Sequence, residues 1–285
     1  MSIENIKTVA VLGAGTMGNG IAHVFARCGF RVILRDVEQR FLDRALDTIG
    51  KNLDREIKKG KVAAADRATI LARLHPVIDI AALAEADFAV EAVPESLDLK
   101  TRVLREADAT LRPGVILVTN TSSISITQLA ALTSRPTRFL GMHFMNPVPV
   151  MQLVEVIRGL QTSDETFAVT LALCERLQKK PVAVNDSPGF VSNRVLLPMI
   201  NEAIFSVMEG VATPEAVDAV MKLGMSHPIG PLELADFIGL DVCLDILDVL
   251  YNGFGDSKYR ACPLLRKYVA AGWLGRKSGR GFYSY

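Results

Sequence analysis

Three glycines stand at the spacing Gly13-x-Gly15-x-x-Gly18 directly after the apolar run Val9-Ala10-Val11-Leu12. That spacing suits the holding of a dinucleotide pyrophosphate. Gly13 permits a tight turn off a buried strand, Gly15 lets backbone approach the phosphates, and Gly18 lets the next helix pack closely on the sheet. Thr16 and Met17 open that helix, whose first-turn N–H groups and positive dipole end face the same anion. A second β-prone run, Arg31-Val32-Ile33-Leu34-Arg35, leads into Asp36. A carboxylate about 20 residues past the glycines accepts hydrogen bonds from the adenosine ribose and repels a 2′-phosphate, so NAD is favoured over NADP. Arg35 is the neighbour that argues for a phosphate instead. Four more segments hold polar groups that a bare scaffold does not need: Asn120-Thr121-Ser122-Ser123, His143-Phe144-Met145-Asn146-Pro147, Gln152-Leu153-Val154-Glu155 and 187–194, Ser-Pro-Gly-Phe-Val-Ser-Asn-Arg.

The elements that must position these groups follow from periodicity. Strands are expected at Thr8–Leu12, Arg31–Arg35, Phe88–Glu91, Val115–Thr119, Arg138–Met142, Gln152–Ile157 and Val182–Val184, alternating with amphipathic stretches. Such alternation predicts an α/β domain with a parallel sheet covered on both faces. Its ligand-binding edge lies beyond the carboxyl ends of the strands, where three of the four polar segments fall or where the domains join. Between residues 41 and 61 apolar residues recur at helical spacing (Leu42, Leu46, Ile49, Leu53, Ile57) with lysines at 51, 58, 59 and 61. With a further helix at 63–74, this predicts a helical hairpin projecting from the sheet. Near Ser187-Pro188-Gly189 the pattern turns helical, with helices expected at 189–209, 213–223, 231–251 and 263–271. The expected domains are therefore 1–187 and an all-helical 188–285. Pro198 should kink the first of those helices, and Thr213-Pro214 is a start signal.

Composition narrows the function classes. The chain has 285 residues and a formal charge of +1, without the basic excess expected of a nucleic-acid or membrane-surface protein. Cys28, Cys174, Cys243 and Cys262 are dispersed, with no C-x-x-C, so neither a metal site nor a disulfide framework is expected. No leader peptide or membrane span is read, which predicts a cytoplasmic location. His23, His75 and His227 are expected to be structural, each completing a hydrogen-bond network.

Taken together, the glycine motif, Asn120-Thr121-Ser122-Ser123, His143-Phe144-Met145-Asn146-Pro147-Val148-Pro149, Pro188-Gly189-Phe190-Val191-x-Asn193-Arg194, Gly230-Pro231 and the terminal Gly-Arg-Lys-Ser-Gly-Arg-Gly-Phe-Tyr resemble the L-3-hydroxyacyl-CoA dehydrogenases over essentially the whole chain. The single-copy length is most similar to the bacterial 3-hydroxybutyryl-CoA branch. The resemblance implies a Rossmann-like N-terminal domain, an all-helical dimerisation domain, and the reaction (S)-3-hydroxyacyl-CoA + NAD⁺ ⇌ 3-oxoacyl-CoA + NADH + H⁺. It also implies that His143 and Glu155 form the catalytic dyad and that Ser122 and Asn193 bond the substrate. The residue types suit that reaction. As hydride leaves the carbinol carbon its hydroxyl loses a proton, and imidazole is a base that titrates near neutrality. A carboxylate on the other ring nitrogen fixes the tautomer and stabilises imidazolium.

By the same resemblance Glu95, Lys100, Ser122, Asn146 and Lys277 contact NAD. Lys51 and Lys59 are the choices for the CoA phosphates, while Asn52 stands where some members have a CoA-contacting serine. Two rival readings are a related hydroxyacid or gulonate-type dehydrogenase and a non-catalytic dinucleotide-binding protein. The apolar residues Val195, Leu196, Leu197, Ile200 and Ile204 exceed what a domain of about 100 residues covers alone, so a homodimer is expected.

Overall fold

The structure, a computed structural model, describes residues 3–285. The chain divides into one compact unit ending at Asp186 and a second beginning at Ser187.

The first unit is an α/β fold. In chain order it contains β1 (Thr8–Leu12), α1 (Thr16–Arg27), β2 (Arg31–Arg35), α2 (Gln39–Lys58), α3 (Asp66–Ala72), β3 (Leu74–Val77), β4 (Phe88–Glu91), α4 (Leu97–Thr110), β5 (Ile116–Thr119), α5 (Ile126–Ala130), β6 (Phe139–Phe144), β7 (Leu153–Arg158), α6 (Asp164–Arg176) and β8 (Lys180–Asn185). The eight strands form one sheet in the order β3-β2-β1-β4-β5-β6-β7-β8. The order reverses direction beside β1, and the glycine loop leaves β1 there, as the binding rule for doubly wound sheets requires. The central strands are mostly apolar because both faces are covered: β4, β5 and β6 have no exposed position, and their polar residues Glu91, Thr119 and His143 lie at or near the carboxyl ends. Val9, Val11, Val32, Leu34, Phe88 and Val90 join Phe25 of α1 and Leu42, Ile49 and Leu53 of α2 in one core. The expected helical hairpin is thus present as α2 and α3, with the inner face of α2 buried.

Two sequence readings need correction here. The sheet is not wholly parallel, since β6 and β7 pair antiparallel. Residues 145–152 are too few for the crossover of a dozen or more that a parallel pair demands. Residues 74–77, where the sequence reading has only the last residue of a helix at Leu74 and no strand, form β3, an edge strand containing Pro76. An edge strand tolerates a residue that cannot donate to the ladder.

The second unit is helical: α7 (Ser192–Met208), α8 (Pro214–Gly224), α9 (Pro231–Ile238), α10 (Leu240–Phe254) and α11 (Pro263–Ala270). Pro198 lies inside α7, and Thr213 caps α8 by accepting from the Ala216 N–H. The single helix read over 231–251 is two helices, broken at Gly239 with φ +107°. That conformation is closed to helices and open mainly to glycine. Leu197, Ile200, Ile204, Leu232, Leu247 and Leu250 form the core of this unit.

Candidate active site

The glycine loop is built as its spacing requires. Gly13 has φ +99°, its N–H donates to the Arg35 carbonyl at 2.8 Å, and a Cβ there would lie 2.7 Å from the Ala92 carbonyl oxygen. A Cβ on Gly18 would lie 1.7 Å from the Gly13 carbonyl oxygen, so α1 can approach the loop only without one. Gly15 is the opposite case, with open space where its Cβ would be. It is also the N-cap of α1, and no side chain caps that end. The first-turn amides, including those of Thr16 and Met17, are therefore aimed at open space, the arrangement that takes a pyrophosphate. A cleft of about 490 Å³ runs from Arg35, Asp36 and Val37 past the glycines to Glu95, Asn120 and Ser122. Asp36 accepts from the Ala14 N–H at 2.6 Å and the Val37 N–H at 2.7 Å, fixing its carboxylate at the β2 end of the cleft. The Arg35 guanidinium instead donates to the Ile78 carbonyl. This donor and acceptor set fits NAD, with the phosphates on α1 and the ribose on Asp36.

His143 and Glu155 face each other as a registered pair of the antiparallel β6–β7 ladder. Directly opposed residues bring their Cβ atoms to about 4.5–5.5 Å, within reach for an imidazole and a carboxylate. His143 Nδ1 lies 2.8 Å from Glu155 Oε2, and both residues are buried, at 6% and 2% exposure. A carboxylate only accepts, so Nδ1 carries the hydrogen and Nε2 is left as the basic atom. His143 lies within β6 rather than just after a strand, because β6 continues to Phe144. Asn120, following β5, accepts from the Phe144 N–H at 2.9 Å and so ties the dyad strand to the cleft wall.

Ser122 stands on a turn held by Glu95. One oxygen of that carboxylate accepts from the Ser122 and Ser123 N–H groups at 2.9 and 3.0 Å and from the hydroxyls of Thr121 and Ser123. Burial raises the Glu95 pKa, but the charge of Lys100 and these hydrogen bonds outweigh it and hold the carboxyl below the usual range. Lys100 itself is 1% exposed, and its ammonium is engaged by Glu91 at 2.8 Å and by the Val93 carbonyl. Glu91 was not among the sequence candidates. The signal available was a carboxylate ending the apolar run Phe88-Ala89-Val90, nine residues before a lysine. Lys179 is a second unanticipated group. It is buried, donates to the Val148 and Met151 carbonyls, and so clamps the segment after Asn146. Its amine is pushed down to about 8, first by burial and then by Arg27.

A second cleft, of about 430 Å³, opens between Gly15 and Thr16, the Asn146–Pro149 segment and one face of α2. That face presents Arg44, Thr48 and Asn52. Lys51 does not line this cleft and is paired with Asp47 at 2.6 Å, and Lys59 is exposed just past the end of α2. In the second unit, Asn193 is buried in the first turn of α7. Lys277 is ion-paired with Asp241 at 2.6 Å. His23 is fully buried with Nε2 3.2 Å from Glu56, an ion-pair distance without hydrogen-bond geometry, so the expected hydrogen-bond network is not completed at this histidine. Among the described residues no group of three or more His, Cys, Asp or Glu gathers as for a metal. No helix among them is long and apolar enough to cross a membrane. Burial pushes the thiols of Cys174 and Cys243 up to about 12, which leaves neither ionised at neutral pH.

Comparison with known proteins agrees with this geometry. Residues 8–187 match the family model of the 3-hydroxyacyl-CoA dehydrogenase NAD-binding domain, and residues 189–285 match that of the 3-hydroxyacyl-CoA dehydrogenase C-terminal domain. The chain is 56% identical to a probable 3-hydroxybutyryl-CoA dehydrogenase of Bacillus subtilis, covering 98% of each. It is 53% identical to a 3-hydroxybutyryl-CoA dehydrogenase of Bradyrhizobium diazoefficiens, covering 98% of this chain and 96% of the relative. The crystal structure of an (S)-3-hydroxybutyryl-CoA dehydrogenase from Ralstonia eutropha superposes with a TM-score of 0.97 at 53% identity, covering 99% of both chains. With an NAD cleft on a doubly wound sheet, a buried histidine–glutamate pair on the paired strands β6 and β7 and full-length matches to both domains, the chain belongs to the 3-hydroxyacyl-CoA dehydrogenase family.

Proposed function

We propose that this protein interconverts (S)-3-hydroxybutyryl-CoA and acetoacetyl-CoA with NAD as cofactor. The observation that carries the reading is the His143–Glu155 pair, in ladder register at 2.8 Å on the strand next to the one that ends at the cofactor cleft. Bound NAD supplies the hydride acceptor. In the oxidising direction His143 Nε2 takes the hydroxyl proton, and Glu155 holds Nδ1–H and balances the imidazolium charge. In the reducing direction the same nitrogen returns the proton to the oxyanion. Ser122, on its Glu95-held turn, donates to the reacting oxygen, and Asn193 is assigned to the same oxygen. Glu95, Asn146 and Lys277 are assigned to the cofactor, and Lys100 acts on it through Glu95. The CoA chain lies along α2, where Arg44, Thr48 and Asn52 line the cleft, with Lys51 and Lys59 toward its phosphates.

The domain assignment that goes with this reading is 1–187 for NAD and 188–285 for dimerisation and substrate. Support for a homodimer comes from apolar side chains exposed on the second unit, among them Val195 at 67%, Val220 at 61% and Leu223 at 87%. A cytoplasmic location fits a chain with no membrane-spanning helix among its described residues. The test is loss of NADH absorbance on adding acetoacetyl-CoA, run beside free acetoacetate and a sugar-acid substrate. Turnover only with the thioester is expected. Turnover with the free acids alone would favour the hydroxyacid reading.

A further inference from the structure

Two carboxylates share one ammonium beneath the cofactor cleft. Glu91, fully buried at the end of β4, accepts from Lys100 Nζ at 2.8 and 3.1 Å, from Thr119 Oγ1 at 2.6 Å and from the Val93 N–H at 2.7 Å. Every contact is a donor to it, so its oxygens act only as acceptors, as an ionised carboxylate's do. Lys100 Nζ also lies 3.4 Å from Glu95, which lines the cleft. One cation between two anions leaves about one negative charge, on the Glu95 side.

The position of that charge matters because of what each end of the cleft receives. Asp36, at β2, marks the adenosine end. The hydride must reach the carbon whose oxygen His143 serves, so the end formed by β4 and β5, next to the His143 strand, takes the nicotinamide. That ring is cationic when oxidised and neutral when reduced, whereas the pyrophosphate charge is the same in both states. We propose that the uncompensated negative charge of the Glu91–Lys100–Glu95 cluster makes the cleft discriminate between the oxidation states of its cofactor. It strengthens NAD⁺ binding relative to NADH and biases the bound equilibrium toward NAD⁺ and the hydroxyacyl thioester. The balance is simple: hydride passes from the reduced ring to the carbonyl carbon, and His143 gives the proton to its oxygen, so the ring gains positive charge beside the cluster.

The Glu95 side chain is 38% exposed, which calls for a high effective dielectric. At about 40–80, a unit charge at about 7 Å changes a binding ratio about three- to sevenfold. The experiment measures Kd for NADH by fluorescence and for NAD⁺ by displacement, without acyl-CoA, in wild type, Glu95→Gln and Glu95→Asp. Gln keeps an oxygen for the Ser122 and Ser123 N–H groups and removes the charge, while Asp keeps the charge and alters the geometry. The ratio Kd(NAD⁺)/Kd(NADH) should rise about three- to sevenfold in Glu95→Gln and stay within about twofold in Glu95→Asp. An unchanged ratio in Glu95→Gln, or an equal change in both variants, overturns the proposal. Wild type provides a check that needs no variant. Raising salt from about 0.02 to 0.5 M should raise its ratio by screening the cluster, and a flat response overturns the proposal too. NADH binding in wild type tests cofactor recognition separately from this discrimination.

Discussion

Replacing Glu155 by Gln isolates what the carboxylate contributes to proton transfer. The pair is buried, in ladder register and 2.8 Å apart, so Gln can keep its oxygen near Nδ1–H with little movement. What changes is the charge. A hydrogen bond to an ionised partner contributes about 1.5–3 kcal/mol and a neutral one about 0.5–1.5, so imidazolium loses about 1–2 kcal/mol of stabilisation as it forms. That predicts a fall in kcat of about 5- to 30-fold, with Kd for NADH unchanged. Replacing His143 by Gln removes the base and should cost about 10²–10⁴-fold. Gln is preferred to Ala there because it retains a donor toward buried Glu155, and an unpartnered buried carboxylate would cost stability as well. The double variant should be no slower than His143→Gln alone, since without an imidazolium the carboxylate has nothing to stabilise. Rates come from NADH formation with (S)-3-hydroxybutyryl-CoA and NAD⁺, with thermal melts to confirm folding. Strictly multiplicative losses, or a folded His143→Gln enzyme of near wild-type rate, would refute the reasoning.

Three further outcomes follow from other parts of the molecule. Asp36→Ser should raise KM for NADH and narrow the preference over NADPH by about tenfold, because it removes the ribose acceptor and the repulsion of a 2′-phosphate; paired steady-state kinetics with the two cofactors check it. Arg44→Ala should raise KM for acetoacetyl-CoA about fivefold without affecting NADH binding, while Lys51→Ala has less effect because that ammonium is already paired with Asp47. Asp108 is partly buried, which raises its pKa, but the Ser134 N–H and Arg135 outweigh this and hold it below the usual carboxylate range. Its stabilisation is therefore complete above the unfolded-state value near 3.8 and is lost as pH falls through the lower folded value. Asp108→Asn should be less stable by about 1–3 kcal/mol at neutral pH, with the gap closing below about pH 4 in melts across a pH series.

How much of this could be read in the sequence depended on how local each feature is. The glycine turn, α1 and Asp36 lie within one β-α-β unit, and their residue types state the requirement directly. His143 and Glu155 were visible as types, but their meeting depends on the reversal between β6 and β7. The short connection at 145–152 could have signalled it. The strand β3 was hidden because Pro76 argues against a strand in general and only its edge position permits one. The break between α9 and α10 was marked by Gly239, yet apolar residues on both sides kept the helical period. Glu91 with Lys100, and Asp108 with Arg135, are pairs whose partners come together only through packing. On α2, lysine content pointed to Lys51, whereas the cleft wall is set by helical phase, which selects Arg44, Thr48 and Asn52.

The antiparallel turn-back between β6 and β7 separates two design problems. The distance from base to orienting carboxylate is fixed by ladder spacing and register, which a one-residue slip would invert by sending the side chains to opposite faces. The 145–152 segment that joins the strands lies outside that ladder and is held instead by Lys179 and by the buried Val148. It borders the α2 cleft through Asn146–Pro149. Exposed positions of that segment, Val150 and Met151 among them, can therefore change without altering the base-to-carboxylate spacing, which the ladder alone sets.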